Sequence, residues 1–354
     1  MKIIQTIPMF ALAGAETMCQ NLTLELQKLG HTVIVISLYD YRSSITERLE
    51  AAGIEVKYLG KKHGIDFSMY KKLYRIFKQE QPDVIHSHLA TVKYTFFAGK
   101  LAGIKKNVHT VHNIAQKEAE KPERILRRIL FKLFGVVPVA LSDIIQKTVS
   151  EEYSIPTEKI PVVLNGIDLS RCIPKKEYSA SGNFKILHIG RFSAQKNHQR
   201  LLTAFKQFHE KYKDSELWLI GDGENKPQMI EFTKQNRLDD SVTFLGLQDN
   251  VYTYLNKADI FTLSSDYEGV PMTLIEAMGS GLPIVSTAVG GIPNMLSDDS
   301  AILTDLDPNE MESAFERYYN DAELRKSHGT RAKEQAVEFS AATMAERYLA
   351  VYEK

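Results

Sequence analysis

The sequence predicts an α/β protein made of two doubly wound parallel-sheet domains. Three features of the chain say so. Short runs rich in Val, Ile and Leu alternate throughout with stretches of helical period, the pattern of parallel strands covered by helices on both faces. A chain of 354 residues is long for one core and suits about two. The alternation lapses once, after Asn165–Asp168, in the linker-like stretch SRCIPKKEYSASGNF, and then restarts.

From the start, Ile3–Ile7 reads as the first strand. A turn through Ala13-Gly14-Ala15 then opens a helix with Met18, Leu22, Leu26 and Leu29 on its apolar side, ended by Gly30. The opening MKIIQTIPMFALAGAE resembles an export signal, but Gln5, Thr6 and Pro8 interrupt its apolar run. A strand followed by a glycine turn explains it better. Thr32–Ser37 is the continuous β-branched run of a strand buried on both faces. Val56–Leu59, Asp83–His86, Asn107–Val111, Val136–Leu141 and Val162–Leu164 complete the first half. After the break, strands are expected at Lys185–Ile189, Leu217–Ile220, Val242–Leu245, Asp259–Leu263, Ile284–Ser286 and Ala301–Leu303. Pro271 suits a first helical position, where its missing N–H needs no partner, and Gly279 and Gly281 stop that helix after Met278. Helical pattern closes the chain from about Asn309.

An apolar fraction of 44% and a charged fraction of 25% are those of a globular protein in water. Formal charge is zero overall yet split: residues 1–180 hold 26 Lys and Arg against 18 Asp and Glu, and residues 181–354 the reverse. The split suggests domains with different partners, the basic half favouring an anionic surface such as phospholipid headgroups. No nucleic-acid-binding motif is recognisable, so nucleic acid is not an expected partner. Cys19 and Cys172 are too few for a disulfide framework and lack metal-ligand spacing, which points to a reducing, cytoplasmic compartment. No apolar run reaches the roughly 18 residues of a membrane-spanning helix.

Chemistry concentrates in SSDYEGVPMTLIEAMGSGLPIVSTAVGGIPNM, Ser264 to Met295. The helix start presents backbone N–H groups at Val270, Met272 and Thr273 and the positive end of the dipole, which together make an anion site. Glu268 stands just before it and Glu276 about a turn and a half inside. Two carboxylates beside an anion site fit a ligand with both phosphate and hydroxyls, such as a sugar nucleotide. GRFSAQKN, Gly190 to Asn197, directly follows the strand ILHI, where parallel-sheet enzymes bind ligands. Arg191 and Lys196 would close there on one diphosphate, or are two solvated cations.

GDGE, Gly221 to Glu224, lacks the third glycine of a dinucleotide fingerprint, and no G-x-x-x-x-G-K-[ST] occurs, which counts against dehydrogenases and P-loop enzymes. Asp305-Leu306-Asp307 is a literal D-x-D, yet an Asp N-cap before Pro308 explains it better, so no metal is expected. His86, His88, His109 and His112 cluster at two strand ends with no acid or Cys at zinc-ligand spacing. In Lys121 to Gly135, Ile125, Leu126, Ile129, Leu130, Leu133 and Phe134 form one helical stripe, with Arg124, Arg127, Arg128 and Lys132 mainly elsewhere. This is either a helix lying on an anionic membrane or a sheet-covering helix with a wet basic face. Lys71 to Lys78 is a second basic run of the same kind.

Glu268, seven residues and Glu276, flanked in order by EG.P, EAM, GLP and GG.P, resemble the signature of the family 4 retaining glycosyltransferases of GT-B fold. The resemblance covers nearly the whole chain. It implies two Rossmann-like domains facing a cleft, residues 1–168 on the acceptor side and 182–339 holding the nucleotide sugar, with a helix over 340–354 crossing back to the first. It implies hexosyl transfer from a nucleoside diphosphate sugar, UDP-linked by family frequency, to a saccharide or lipid-linked saccharide. Retained configuration, no metal or other cofactor, and a setting in envelope or exopolysaccharide assembly at the inner face of the cytoplasmic membrane follow by the same resemblance. Closure of the domains would exclude water, which competes with the acceptor.

Residue by residue, the resemblance puts Gly190, Arg191 and Lys196 on the donor diphosphate, where the cations stabilise the departing charge. Gly269, Val270, Met272 and Thr273 hold phosphate, Glu276 the ribose hydroxyls and Glu268 the transferred sugar. Gly221, Gly223 and Leu245 line the nucleobase site. Ala13-Gly14-Ala15-Glu16 is similar to a glycine loop that usually reads G-G-x-E, so Gly14 would approach the donor phosphates, with Ala13 replacing the first glycine. His112 stands where the family keeps a functional His, followed here by Asn113 instead of the usual Asp, and would serve the donor sugar or acceptor hydroxyl. His86, His88 and His109 are expected in structural or supporting roles. A nucleotide-sugar epimerase and a silent sugar-nucleotide-binding protein are the alternative classes.

Overall fold

The computed structural model describes residues 1–11, 13–178 and 182–354. These form two compact units, one of Met1–Ile167 with Ala341–Lys354, the other of Asp168–Ser340. The first holds β1 (Lys2–Ile7), β2 (Thr32–Ser37), β3 (Glu55–Tyr58), β4 (Val84–His88), β5 (Lys106–Val111) and β6 (Val137–Ala140), in the order β3-β2-β1-β4-β5-β6. The second holds β7 (Phe184–Ile189), β8 (Ser215–Ile220), β9 (Val242–Gly246), β10 (Ile260–Leu263), β11 (Ile284–Thr287) and β12 (Ile302–Thr304), in the order β12-β11-β10-β7-β8-β9. Pairings within both sheets are parallel. Counted from its own first strand, each sheet has the same doubly wound order, reversing beside that strand.

The unbroken apolar runs follow from burial on both faces. In the first unit Ile3, Val35, Val84 and Val108 enter one core, while their neighbours Ile4, Ile34, Ile36 and Ile85 enter the other. Successive side chains point to opposite faces, so both positions must be apolar. The last helix, Ala341–Glu353, completes the first of these cores with Met344, Ala345, Tyr348 and Tyr352. Its two tyrosines also reach polar groups buried on the sheet. Tyr352 Oη lies 2.7 Å from His86 Nδ1, and Tyr348 Oη 2.7 Å from Thr110 Oγ1, which is 2.7 Å from His86 Nε2.

Some expectations shift. Val162–Leu164 is no strand: Val162 makes an isolated bridge to Ala140, and Pro161 before it has no N–H to extend a ladder. The stretch expected as a linker lies along the second unit, with Lys175 N donating to Ser280 O and Tyr178 Oη to Gly281 O. Residues 179–181 of that stretch lie outside the described residues. Leu29 is exposed because the helix Gly14–Lys28 ends before it. Pro271 is the N-cap, with ψ at 124°, so the helix it precedes is Met272–Gly279. Among the described residues no helix is long and apolar enough to cross a membrane.

Replacing Tyr352 by Phe leaves His86 Nδ1 buried without its partner. The expected cost is about 1–3 kcal/mol, read as a lowered midpoint in urea unfolding, with Tyr348→Phe costing a similar amount.

Candidate active site

In the second unit the strand order reverses between β7 and β10, so the loops leaving their carboxyl ends lie side by side. Hydrogen bonds join them. Asp266 N donates to Gln195 O at 2.8 Å, Gln195 Nε2 to Tyr267 O at 3.0 Å and Ser264 Oγ to Lys196 O at 2.9 Å. Asn197, at φ 45°, caps the next helix by accepting from Arg200 N, and its amide donates to Asp266. The Arg200 guanidinium returns to Ser264 O at 2.7 Å and to Asp266 at 2.8 Å.

This stitching brings Lys196 onto Glu268. Nζ lies 2.6 Å from Oε1, and Ser265 Oγ donates to the same oxygen at 2.5 Å. Glu268 is buried, so its charge needs these partners. Arg191 differs, being exposed and paired with Glu224 at 3.1 Å. The helix Met272–Gly279 begins beside them. Its first intrahelical donors are Leu274 and Ile275, both bonded to Pro271 O, so the amides of Met272 and Thr273 precede the ladder. One turn on, burial pushes the Glu276 carboxyl up to about 7. Tyr252 Oη donates to Glu276 Oε1 at 3.4 Å, and the Arg171 guanidinium lies 4.9 Å over the Tyr252 ring.

The glycines of the region act through backbone contact. A Cβ on Gly221, at φ 143°, would overlap the Gly190 carbonyl, and one on Gly223 the Phe192 backbone. A Cβ on Gly290, at φ 59°, would overlap the Glu268 carbonyl, and one on Gly291 that of Gly269. Gly221 and Gly223, expected along the nucleobase, therefore seat the β8 turn against the Gly190–Asn197 loop. Leu245, expected beside them, lies half-buried in β9.

In the first unit Gly14 opens the helix Gly14–Lys28. Ala13, its N-cap, has φ −142°, extended backbone open to any residue, so the missing first glycine costs nothing there. Glu16 is buried, which pushes its carboxyl up to about 7. His112 lies just past β5, its Nε2 3.0 Å from His88 Nδ1, and His88 Nε2 is 2.8 Å from Gln5 Oε1. Gln5 Nε2 donates to Thr23 Oγ1 while Oε1 accepts from Cys19 Sγ. These partners make His88 Nε2 a donor and its Nδ1 an acceptor for His112 Nε2–H, leaving His112 with Nδ1 as its own acceptor. Burial holds His112 down at about 4, so it is neutral near pH 7. His86, His88 and His109 are fully buried on protein partners.

Arg127 corrects the sequence reading most. Expected on a wet basic face, it is fully buried, with Nη1 2.7 Å from Glu118 and Nη2 2.8 Å from Glu123 and 2.9 Å from the carbonyl of Leu89. Leu89, at φ 53°, directly follows His88. The other Glu118 oxygen accepts from Asn113 N at 2.9 Å, next to His112. Against the upward push of burial, His109 and Arg127 bring Glu118 down to about 2. One cation thus fixes the backbone after both histidine strands.

The chain matches two family descriptions, Glycosyltransferase Family 4 over residues 12–171 and Glycosyl transferases group 1 over residues 171–335. It is 30% identical over 302 residues to N-acetyl-alpha-D-glucosaminyl L-malate synthase of Bacillus anthracis, covering 81% of this chain and 78% of that one. The chain belongs to the family 4, group 1 glycosyltransferases. It is 27% identical to UDP-Gal:alpha-D-GlcNAc-diphosphoundecaprenol alpha-1,3-galactosyltransferase of Escherichia coli, over 64% of this chain and 63% of that one. Its fold is GT-B: HepE of Anabaena, solved in complex with UDP and glucose, superposes with a TM-score of 0.84 over 100% of both chains at 18% identity.

In this glycosyltransferase the D-x-D is used structurally, since the Asp307 side chain accepts from Asn309 N at the start of the helix Pro308–Asn320. Ser265, Arg200 and Tyr252 escaped the sequence reading, although each touches a residue that it singled out or the loop that carries one, and so did Arg171, which lies over the Tyr252 ring. Ser265, three residues before Glu268, had the one local signal. The expected result of Gly290→Ala is loss of transfer activity ahead of loss of fold. Urea unfolding should show a drop larger than the roughly 1–3 kcal/mol of the strained φ alone, because the Cβ also overlaps the Glu268 carbonyl, and transfer activity should fall further than that drop explains.

Proposed function

We propose that this glycosyltransferase moves a hexosyl group from a UDP-linked sugar to a saccharide or lipid-linked saccharide, retaining anomeric configuration and requiring no metal. The observation that carries the reading is the Lys196–Glu268 pair, set where the second sheet reverses and beside the start of the helix Met272–Gly279. A diphosphate fits a helix start flanked by cations. Lys196, Arg191 and the amides of Val270, Met272 and Thr273 bind it, with Gly190 and Gly269 admitting it to the backbone. Glu276 accepts from ribose hydroxyls and Glu268 from the transferred sugar. Within the first unit, His112 Nδ1 accepts from a hydroxyl of a sugar or acceptor, and Gly14 lets a ligand come close to the backbone. UDP is favoured because structural neighbours carry it. A lipid-linked acceptor is favoured by the diphosphoundecaprenol in the name of one relative. Such an acceptor would keep the enzyme at the inner face of the cytoplasmic membrane.

In the transfer, the bond from the anomeric carbon to the β-phosphate oxygen breaks and a bond to the acceptor oxygen forms on the same face. The acceptor's proton passes to the departing phosphate oxygen. Lys196 and Arg191 stabilise the charge that develops on that oxygen, which is where fixed cations in a dry site do most. No side chain is asked to form a covalent glycosyl intermediate.

Turnover with UDP-hexoses tests the reading, assayed by UDP release with and without saccharide acceptors. Lys196→Ala should lower kcat by about 10²–10³-fold with the fold intact by circular dichroism; unchanged turnover would refute the assignment. pH gives a second test. Glu276 is charged above about 7 and neutral below, and only the charged form accepts fully from ribose hydroxyls. UDP binding, followed by calorimetry, should therefore tighten from pH 6 to pH 8, by at most about tenfold per unit below 7, and Glu276→Gln should flatten the profile.

A further inference from the structure

We propose that the outer face shared by the helices Val92–Ala102 and Lys121–Leu133, continued by Ser68–Glu80, is a docking surface for an anionic lipid bilayer. A helix that covers a sheet turns its apolar stripe inward. Lys121–Leu133 turns much of that stripe outward: Ile125, Ile129 and Leu133 are exposed, Leu133 at 75%, while Arg127, Leu130 and Phe131 make the buried face. The preceding helix does the same with Phe97 and Leu101, the latter 76% exposed. Ring contacts join the two stripes. Exposed Phe134 packs on Phe96 with centroids 5.4 Å apart, and Phe96 on Phe97 at 5.3 Å. Lys100 Nζ bridges them, 4.3 Å over the Phe134 ring. Phe97 in turn meets Tyr70 at 6.3 Å, which brings in the third helix.

Charge decides the occupant. Besides buried Arg127, residues 67–78, 92–106 and 124–135 contain eleven Lys and Arg and no Asp or Glu, although Glu80 and Glu123 stand at the ends of two of the helices. Glu123 and Glu152, from outside these spans, pair with Lys93 and Arg124. Lys71, Arg75, Lys100, Lys105, Arg128 and Lys132 are exposed on these helices or in the turn after Val92–Ala102, and Lys100 lies on the apolar stripe itself. A partner must offer hydrocarbon and negative charge together. A second copy on a two-fold axis would set like charges opposite one another. An anionic bilayer supplies phosphates for the cations and an acyl boundary for Leu and Phe, with Lys and Arg stems lying along it. The inner face is already fixed, since Arg127 ties this helix to Glu118 and to the Leu89 carbonyl. Docking therefore needs no rearrangement of the His112 loop.

The full chain is sedimented with vesicles of phosphatidylcholine alone, or of equal parts phosphatidylcholine and phosphatidylglycerol. Binding to the anionic vesicles only, abolished by high salt, is the expected result. Two variants separate the components, Ile129→Ser with Leu133→Ser, and Lys100→Gln with Arg128→Gln and Lys132→Gln. Each should lower the partition coefficient at least about tenfold, a lysine or arginine near such a surface being worth roughly fivefold, with the thermal shift on adding UDP unchanged. Equal binding to both vesicle types, or variants that bind like the parent, overturns the proposal. So does a parent dimer in sedimentation velocity that the same substitutions dissociate, because the face would then join two copies. The UDP shift reports separately on the donor reading, whose failure would leave vesicle binding untouched.

Discussion

Backbone pressed against backbone around one ion pair is what the second unit depends on. Gly290 and Gly291 lie on the carbonyls of Glu268 and Gly269, and Gly221 and Gly223 lie on the loop that carries Lys196. At each of these contacts a methyl group would meet a neighbouring main chain before any ligand arrived. The contacts fix where the Glu268 carbonyl points, and hence place its carboxylate under Lys196 Nζ and Ser265 Oγ. A carboxylate that far from water is tolerated only when its partners are in position. The glycines therefore act through Glu268, by holding the partners of a buried charge in position.

The site is also arranged asymmetrically. Lys196 is neutralised from below by Glu268, whereas Arg191 stands in solvent on the exposed Glu224. An exposed pair contributes little and exchanges readily; a buried pair does not. In the proposed reaction this gives the two cations different work. Lys196 is a fixed element whose geometry exists before binding, and Arg191 is recruited from a weak partner. Preorganised charge costs no rearrangement at the moment of reaction, which favours Lys196 as the larger contributor.

Much of this could be read from the residues, for a physical reason. Strands buried on both faces admit only apolar side chains at successive positions, so Thr32–Ser37 was visible to the residue. Strand, turn and helix in fixed succession also set the interval between Glu268 and Glu276, so a local motif could carry a spatial fact. What failed depends on contacts between distant segments. Val162–Leu164 is the local exception: it has strand composition, but Pro161 just before it leaves a single bridge. Tyr252 meets Glu276 across two elements, and the Ala341–Glu353 tyrosines find His86 and Thr110 from the far end of the chain. No local pattern announces such pairings.

Arg127 shows how one such pairing redirects an entire face. By periodicity alone, the helix should roll its Ile125–Ile129–Leu133 edge onto the protein, each buried side chain contributing about 1.5–3 kcal/mol. It does not, because the guanidinium is bonded to Glu118, Glu123 and the Leu89 carbonyl. Rolling the helix would strip three partners from a buried cation and two from carboxylates, a penalty of about 3–5 kcal/mol for one broken buried pair. The polar anchor sets the rotation, and the apolar edge is left outward as its consequence. The same bonds that order the backbone beside His112 thus create the exposed stripe on the opposite side of the helix. A single buried arginine couples the shape of a candidate site to the character of a surface.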